Sequence, residues 1–124
     1  MPKCILLVDD SVIVRHAVRD VFEARGYLIC GEAANGKEAI EQAKKVRPDL
    51  IILDLSMPVM NGLEAAHILS STMPDIPLIL FSNFADILQD RDGRSAGFAA
   101  VVSKDKAVAI LVSTAHNLLY QPAP

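Results

Sequence analysis

The stretch LIILDL (50–55) decides the fold. Four consecutive apolar residues, two of them β-branched, leave no polar face for solvent. That is the composition of a parallel strand covered on both sides, not of a strand with one wet face. An acid, Asp54, follows at once, and Pro58 a few residues later ends any regular continuation.

Outward from this strand, apolar runs alternate with helix-period segments. CILLV precedes SVIVRHAVRDVFEARG, where Val12, Val14, Ala17, Val18, Val21 and Phe22 recur at helical spacing and Gly26 offers a stop. YLICGEA reads as a second strand. NGKEAIEQAKKVRP reads as a second helix, ended before Pro48 because the residue ahead of a proline avoids helical backbone. Downstream come a third helix in NGLEAAHILSS, a fourth strand in PLILF and a more polar fourth helix in FADILQDRDGRSAG. FAAVVS is a fifth strand and DKAVAILVSTAHNLLY a fifth helix, with Asp105 as its cap. Five βα units predict an α/β fold, (βα)5, with a doubly wound parallel five-stranded sheet and helices on both faces. QPAP breaks the last helix, so 1–120 reads as one domain and 121–124 as a tail or the start of a linker.

The chain has 124 residues, enough for one core, and 52% of them are hydrophobic. No apolar run approaches the roughly 18 to 20 residues that span a bilayer, and MPKCILLVDD lacks the pattern of a secretory signal. A cytoplasmic protein without membrane attachment is expected. Twelve basic against 15 acidic residues, net −3, count against direct nucleic-acid binding by this segment, which goes with a basic stripe. Cys4 and Cys30 lie in apolar strands with no CxxC and no nearby His, so zinc is not expected and buried reduced thiols are.

In open parallel sheets, sites form at the carboxyl ends of the strands. The polar residues ending the strands are Asp9 and Asp10 after the first, Asp54 after the third, Ser82 after the fourth and Lys104 after the fifth. All are placed at one edge. Three carboxylates there cannot all stay ionised uncompensated, and their hard oxygens suit Mg²⁺. Such an ion would draw charge from a phosphoryl group during transfer, with Lys104 as a point-charge partner and Ser82 as a donor. No glycine-rich phosphate loop and no Cys/His pair is present.

Taken in order, VDDS, LDLSMPVMNG, a hydroxyl after strand four and Lys104 after strand five resemble the receiver domain of response regulators, the CheY-like phosphoacceptor module of two-component signalling. The resemblance covers essentially the whole chain. It implies the flavodoxin-like strand order 2-1-3-4-5 and Asp54 as acceptor of a phosphoryl group from a sensor histidine kinase. It implies Mg²⁺ held by Asp10 directly, by Asp9 through water, by Asp54 and by the backbone carbonyl of Ser56. Lys104 would contact the phosphoryl group and Ser82 would be the switch hydroxyl. The protein would be a switch whose only chemistry is its own phosphorylation and the hydrolysis that reverses it, and a homodimer on phosphorylation is compatible with it. Two positions depart from the pattern. Val101 stands where receivers commonly carry Tyr or Phe, and Asp105 where they often carry Pro. Lys104-Asp105 resembles the receivers that precede LuxR/NarL-type DNA-binding domains. Two alternatives stay open: a stand-alone or phosphorylation-independent interaction module, and a haloacid dehalogenase-type phosphotransferase. Against the latter, Ser56 stands where that family places its second acid.

Overall fold

The central stretch forms β3 (Leu50–Leu53), with all four residues buried. The computed structural model describes residues 2–83 and 97–120. Around β3 are β1 (Cys4–Val8), β2 (Leu28–Ala33), β4 (Leu78–Ser82) and β5 (Ala100–Ser103), in the order β2-β1-β3-β4-β5. Every neighbouring pair is parallel. The described helices are α1 (Val12–Glu23), α2 (Gly36–Val46), α3 (Gly62–Thr72) and α4 (Val108–Tyr120). Both the fold class and the strand order expected from the sequence hold.

Side chains alternate along a strand, so each apolar run feeds two cores. Leu6, Val8, Ile51, Leu53, Leu78 and Leu80 meet α2 and α3 through Ala39, Ala43, Ala65 and Leu69. Ile5, Leu7, Ile52, Ile79 and Phe81 meet α1 and α4 through Val18, Phe22 and Leu111. Three helices start on side-chain caps. Ser11 accepts from the Val14 amide at 3.2 Å, and Asn35 and Asn61 accept from the amides of Glu38 and Glu64 at 2.9 Å. Gly26, at φ 87°, turns the chain after α1.

Three expectations need revision or fall outside view. The expected fourth helix lies at 84–97, and 84–96 is outside the described residues. The last helix begins at Val108, so Asp105 does not cap it. A turn intervenes, in which the Lys106 amide donates to the Ser103 carbonyl at 3.1 Å and the Asp105 amide lies 3.5 Å from the Ser103 hydroxyl. Cys4 and Cys30, read from the sequence as reduced thiols, form a disulfide with their Cα atoms 5.6 Å apart. The reason is register. Cys4 pairs with Leu28, and a shift after the Ile5–Ile29 pair brings Leu6 opposite Gly31, so the bulge sets Cys30 beside Cys4. Closing a loop across 26 positions in sequence should stabilise the fold by about 3 kcal/mol. A thiol count on the denatured, unreduced protein should find none free, and dithiothreitol should lower the urea midpoint.

Candidate metal and phosphoacceptor site

Backbone pairing aligns the strand ends before any side chain acts. Val8 lies opposite Leu53, Leu53 opposite Leu80 and Ser82 opposite Ser103. The bonds continue one step past the strands. The Asp54 amide donates to Val8, the Asp9 amide to Ala33 (both 3.0 Å), and the Lys104 amide to Ser82 at 3.2 Å. Asp9, Asp10, Asp54, Ser82 and Lys104 therefore converge at the carboxyl edge, as the sequence led us to expect.

One oxygen from each of Asp9, Asp10 and Asp54 lies within 4.8 Å of the others. Asp9 and Asp54 are buried and Asp10 is exposed. The Lys104 ammonium sits between the buried pair, 2.8 Å from Asp9 Oδ2 and 3.2 Å from Asp54 Oδ2. The remaining oxygens take backbone amides, Ser11 donating to Asp9 at 2.9 Å and Leu55 to Asp54 at 2.8 Å. Burial pushes the Asp54 carboxyl above its usual range and the Asp9 charge adds to this, against the opposing effects of Lys104 and of a hydrogen bond from Ser82. Burial works against the Lys104 charge, but its bonds to Asp9 and Asp54 prevail and hold its pKa above normal. Ser56 is exposed on the loop that follows Asp54. Gly62 brings the start of α3 against that loop, its amide donating to the Leu55 carbonyl at 2.8 Å.

Sequence reasoning missed an ion cluster under the first loop. Arg15 Nε donates to Glu32 at 2.9 Å, a terminal nitrogen of Arg15 donates to the Asp9 carbonyl at 2.5 Å, and Arg19 also bonds Glu32. A signal was there, since Glu32 is a charge inside the otherwise apolar strand LICGEA. Burial pushes the Glu32 carboxyl up, but Arg15 and Arg19 outweigh it and hold it below its ordinary 4.5. A group held low in the fold contributes stability above its unfolded pKa and loses it as pH falls through that value towards the folded one. Stability should therefore decline below about pH 4.5, and Glu32→Gln, less stable at neutral pH, should show a shallower decline in urea midpoints measured between pH 6 and 3.

Comparison with known proteins gives the family. The model of the family described as "Response regulator receiver domain" matches residues 5–116. The chemotaxis protein CheY of Thermotoga maritima is 38% identical over 82 residues, 66% of this chain and 68% of that protein. The transcriptional regulatory protein LnrK of Bacillus subtilis is 30% identical over 117 residues, 91% of this chain but 53% of that protein. A protein-glutamate methylesterase/protein-glutamine glutaminase of Methanococcoides burtonii is 44% identical over 79 residues, and the match spans only 22% of its length. Among solved structures, a two-component response regulator of the LuxR family from Aurantimonas superposes with a TM-score of 0.89 at 29% identity, over 96% of this chain and 86% of that one. Matched by the family model along nearly its whole length, and folded in the same strand order, the chain belongs to the response regulator receiver domain family of two-component signalling.

Proposed function

We propose that this receiver accepts a phosphoryl group on Asp54 from a phosphohistidine of a sensor kinase, with Mg²⁺ held by Asp9, Asp10, Asp54 and the Ser56 carbonyl. The observation that carries the reading is the meeting of three carboxylates and Lys104 at one sheet edge. The donor set is hard oxygen. One oxygen from each carboxylate lies within 4.8 Å of the others, so the three together would hold a small divalent cation. When bound, Mg²⁺ supplies positive charge that offsets the charge on the phosphoryl oxygens during transfer.

The residues then divide the work. An Asp54 oxygen attacks phosphorus, the phosphorus–nitrogen bond to the kinase histidine breaks, and the nitrogen leaves with the electron pair, giving an acyl phosphate and a histidine. Lys104 moves its bond from the Asp54 carboxylate to a phosphoryl oxygen, and the Ser82 hydroxyl donates to another. These bonds exist only in the phosphorylated state. Swinging a two-state surface from 1:99 to 99:1 takes about 5.5 kcal/mol of such differential interaction. Hydrolysis of the acyl phosphate resets the switch.

The output of this reading is transcription through a DNA-binding domain outside this chain, with 1–120 as receiver and 121–124 as a tail or the start of a linker, in the cytoplasm. Lys104-Asp105 after β5 and the partial-length match to LnrK support it. No helix among the described residues is long and apolar enough to cross a membrane. A phosphorylation-independent interaction module is the second reading. What favours it is Val101, partly buried against the α2/α3 core where receivers commonly place an aromatic ring.

Treated with acetyl phosphate and Mg²⁺, the protein should gain one phosphoryl group, located by peptide mapping to Asp54, and Asp54→Asn should gain none. An adduct that survives Asp54→Asn would reassign the acceptor.

A further inference from the structure

We propose that Arg15 is a positioning residue for the acidic site, fixing the Asp9–Asp10 turn while Glu32 anchors it. The inference rests on the reading of Asp9, Asp10 and Asp54 as a Mg²⁺ site. Asp10 is exposed, unlike the buried Asp9 and Asp54, so its carboxylate is held less by packing than theirs. Its direction follows from the peptide plane that joins it to Asp9. Both sides of Asp9 are held from β2. The Asp9 amide donates to the Ala33 carbonyl at 3.0 Å. The Asp9 carbonyl accepts from Arg15 at 2.5 Å, and Arg15 is itself held by Glu32, the residue before Ala33, at 2.9 Å.

The guanidinium suits this task. Its planar fork can donate to Glu32 and to the Asp9 carbonyl at once, which a single ammonium does less well. Its side chain is only 15% exposed, so the arrangement is partly screened from water. Glu32 also neutralises it, which keeps a bare cation from standing beside a cation site. Arg19 provides the internal comparison. It bonds the same Glu32 and lies 3.8 Å from Glu23, and among the described residues no bond from it reaches the Asp9–Asp10 turn. Among the described residues its Nε is buried without a hydrogen-bond partner.

Calorimetric titration with Mg²⁺, beside urea unfolding in metal-free buffer, separates positioning from stability. Arg15→Met and Arg15→Lys should each weaken Mg²⁺ binding about tenfold or more, the usual effect of losing a group that orients a ligand. Arg19→Met should lower the urea midpoint about as much as Arg15→Met while leaving Mg²⁺ affinity at the wild-type value. The proposal is overturned if the Arg15 variants bind Mg²⁺ like the wild type, if Arg15→Lys restores full affinity, or if Arg19→Met weakens binding equally. Absence of Mg²⁺ binding by the wild type would overturn the metal reading as well; binding by the wild type with unchanged variants overturns this inference alone.

Discussion

Replacing Lys104 by methionine should cost the metal-free protein about 3 kcal/mol, a large share of the 5 to 15 kcal/mol that stabilises a typical domain. Asp9 and Asp54 are buried, and each gives one oxygen to the Lys104 ammonium. Methionine keeps most of the stem's packing and removes the charge, so two carboxylates are left facing each other in a poorly hydrated place. The same change frees the two oxygens that Lys104 occupies. Mg²⁺ should then bind the variant more tightly than the wild type. The wild type gains from the metal too, so the gap closes only by the difference in affinity, about 1.4 kcal/mol for each tenfold by which the variant binds Mg²⁺ more tightly. Unfolding curves with and without Mg²⁺ should show the variant much weaker than wild type without metal and closer to it in excess metal. A variant that unfolds like the wild type without metal, or gains no more from Mg²⁺ than the wild type does, would contradict this.

The second large effect belongs to Gly62. A Cβ built there overlaps the carbonyl oxygen of Asp54 and crowds the Leu55 backbone, atoms that cannot swing aside as a side chain would. Gly62→Ala must push α3 away from the end of β3 or displace Asp54. We expect a loss of about 3 kcal/mol, at the upper end for overpacking, with slower phosphorylation because the acceptor moves. Gly26 serves as the control, since a Cβ there meets nothing within 4 Å and only its φ of 87° opposes a side chain. Gly26→Ala should cost about 1 kcal/mol. Urea midpoints for the two variants settle the matter, and equal losses would sink the steric account.

Much of this was legible in the sequence, for identifiable reasons. LIIL is apolar at every position because β3 is covered on both faces, and together with the repeated βα alternation it signalled a parallel sheet. The period-2 alternation that assigns Leu6 to one core and Leu7 to the other follows from the strand itself. The site residues could be placed because a parallel sheet puts all its strand ends on one side, so Asp9, Asp54 and Lys104 had to be near one another. What escaped depends on register or on long side chains crossing between elements. The Cys4–Cys30 bond needs the β1–β2 shift after Ile5, which no local pattern encodes. Asp105 carried the composition of a cap, but the turn at 103–106 moved the helix start beyond its reach. Arg15 and Glu32, 17 positions apart, meet only because α1 packs beside β2.

On the function proposed above, the carboxylates at this edge hold one divalent cation, and Asp54 is not phosphorylated without it. The intact mass of the wild-type protein after acetyl phosphate, in Mg²⁺ and in a chelator, reads this out. One phosphoryl group should appear with Mg²⁺ and none without. An adduct of equal yield in chelator, or no adduct in either, would contradict it.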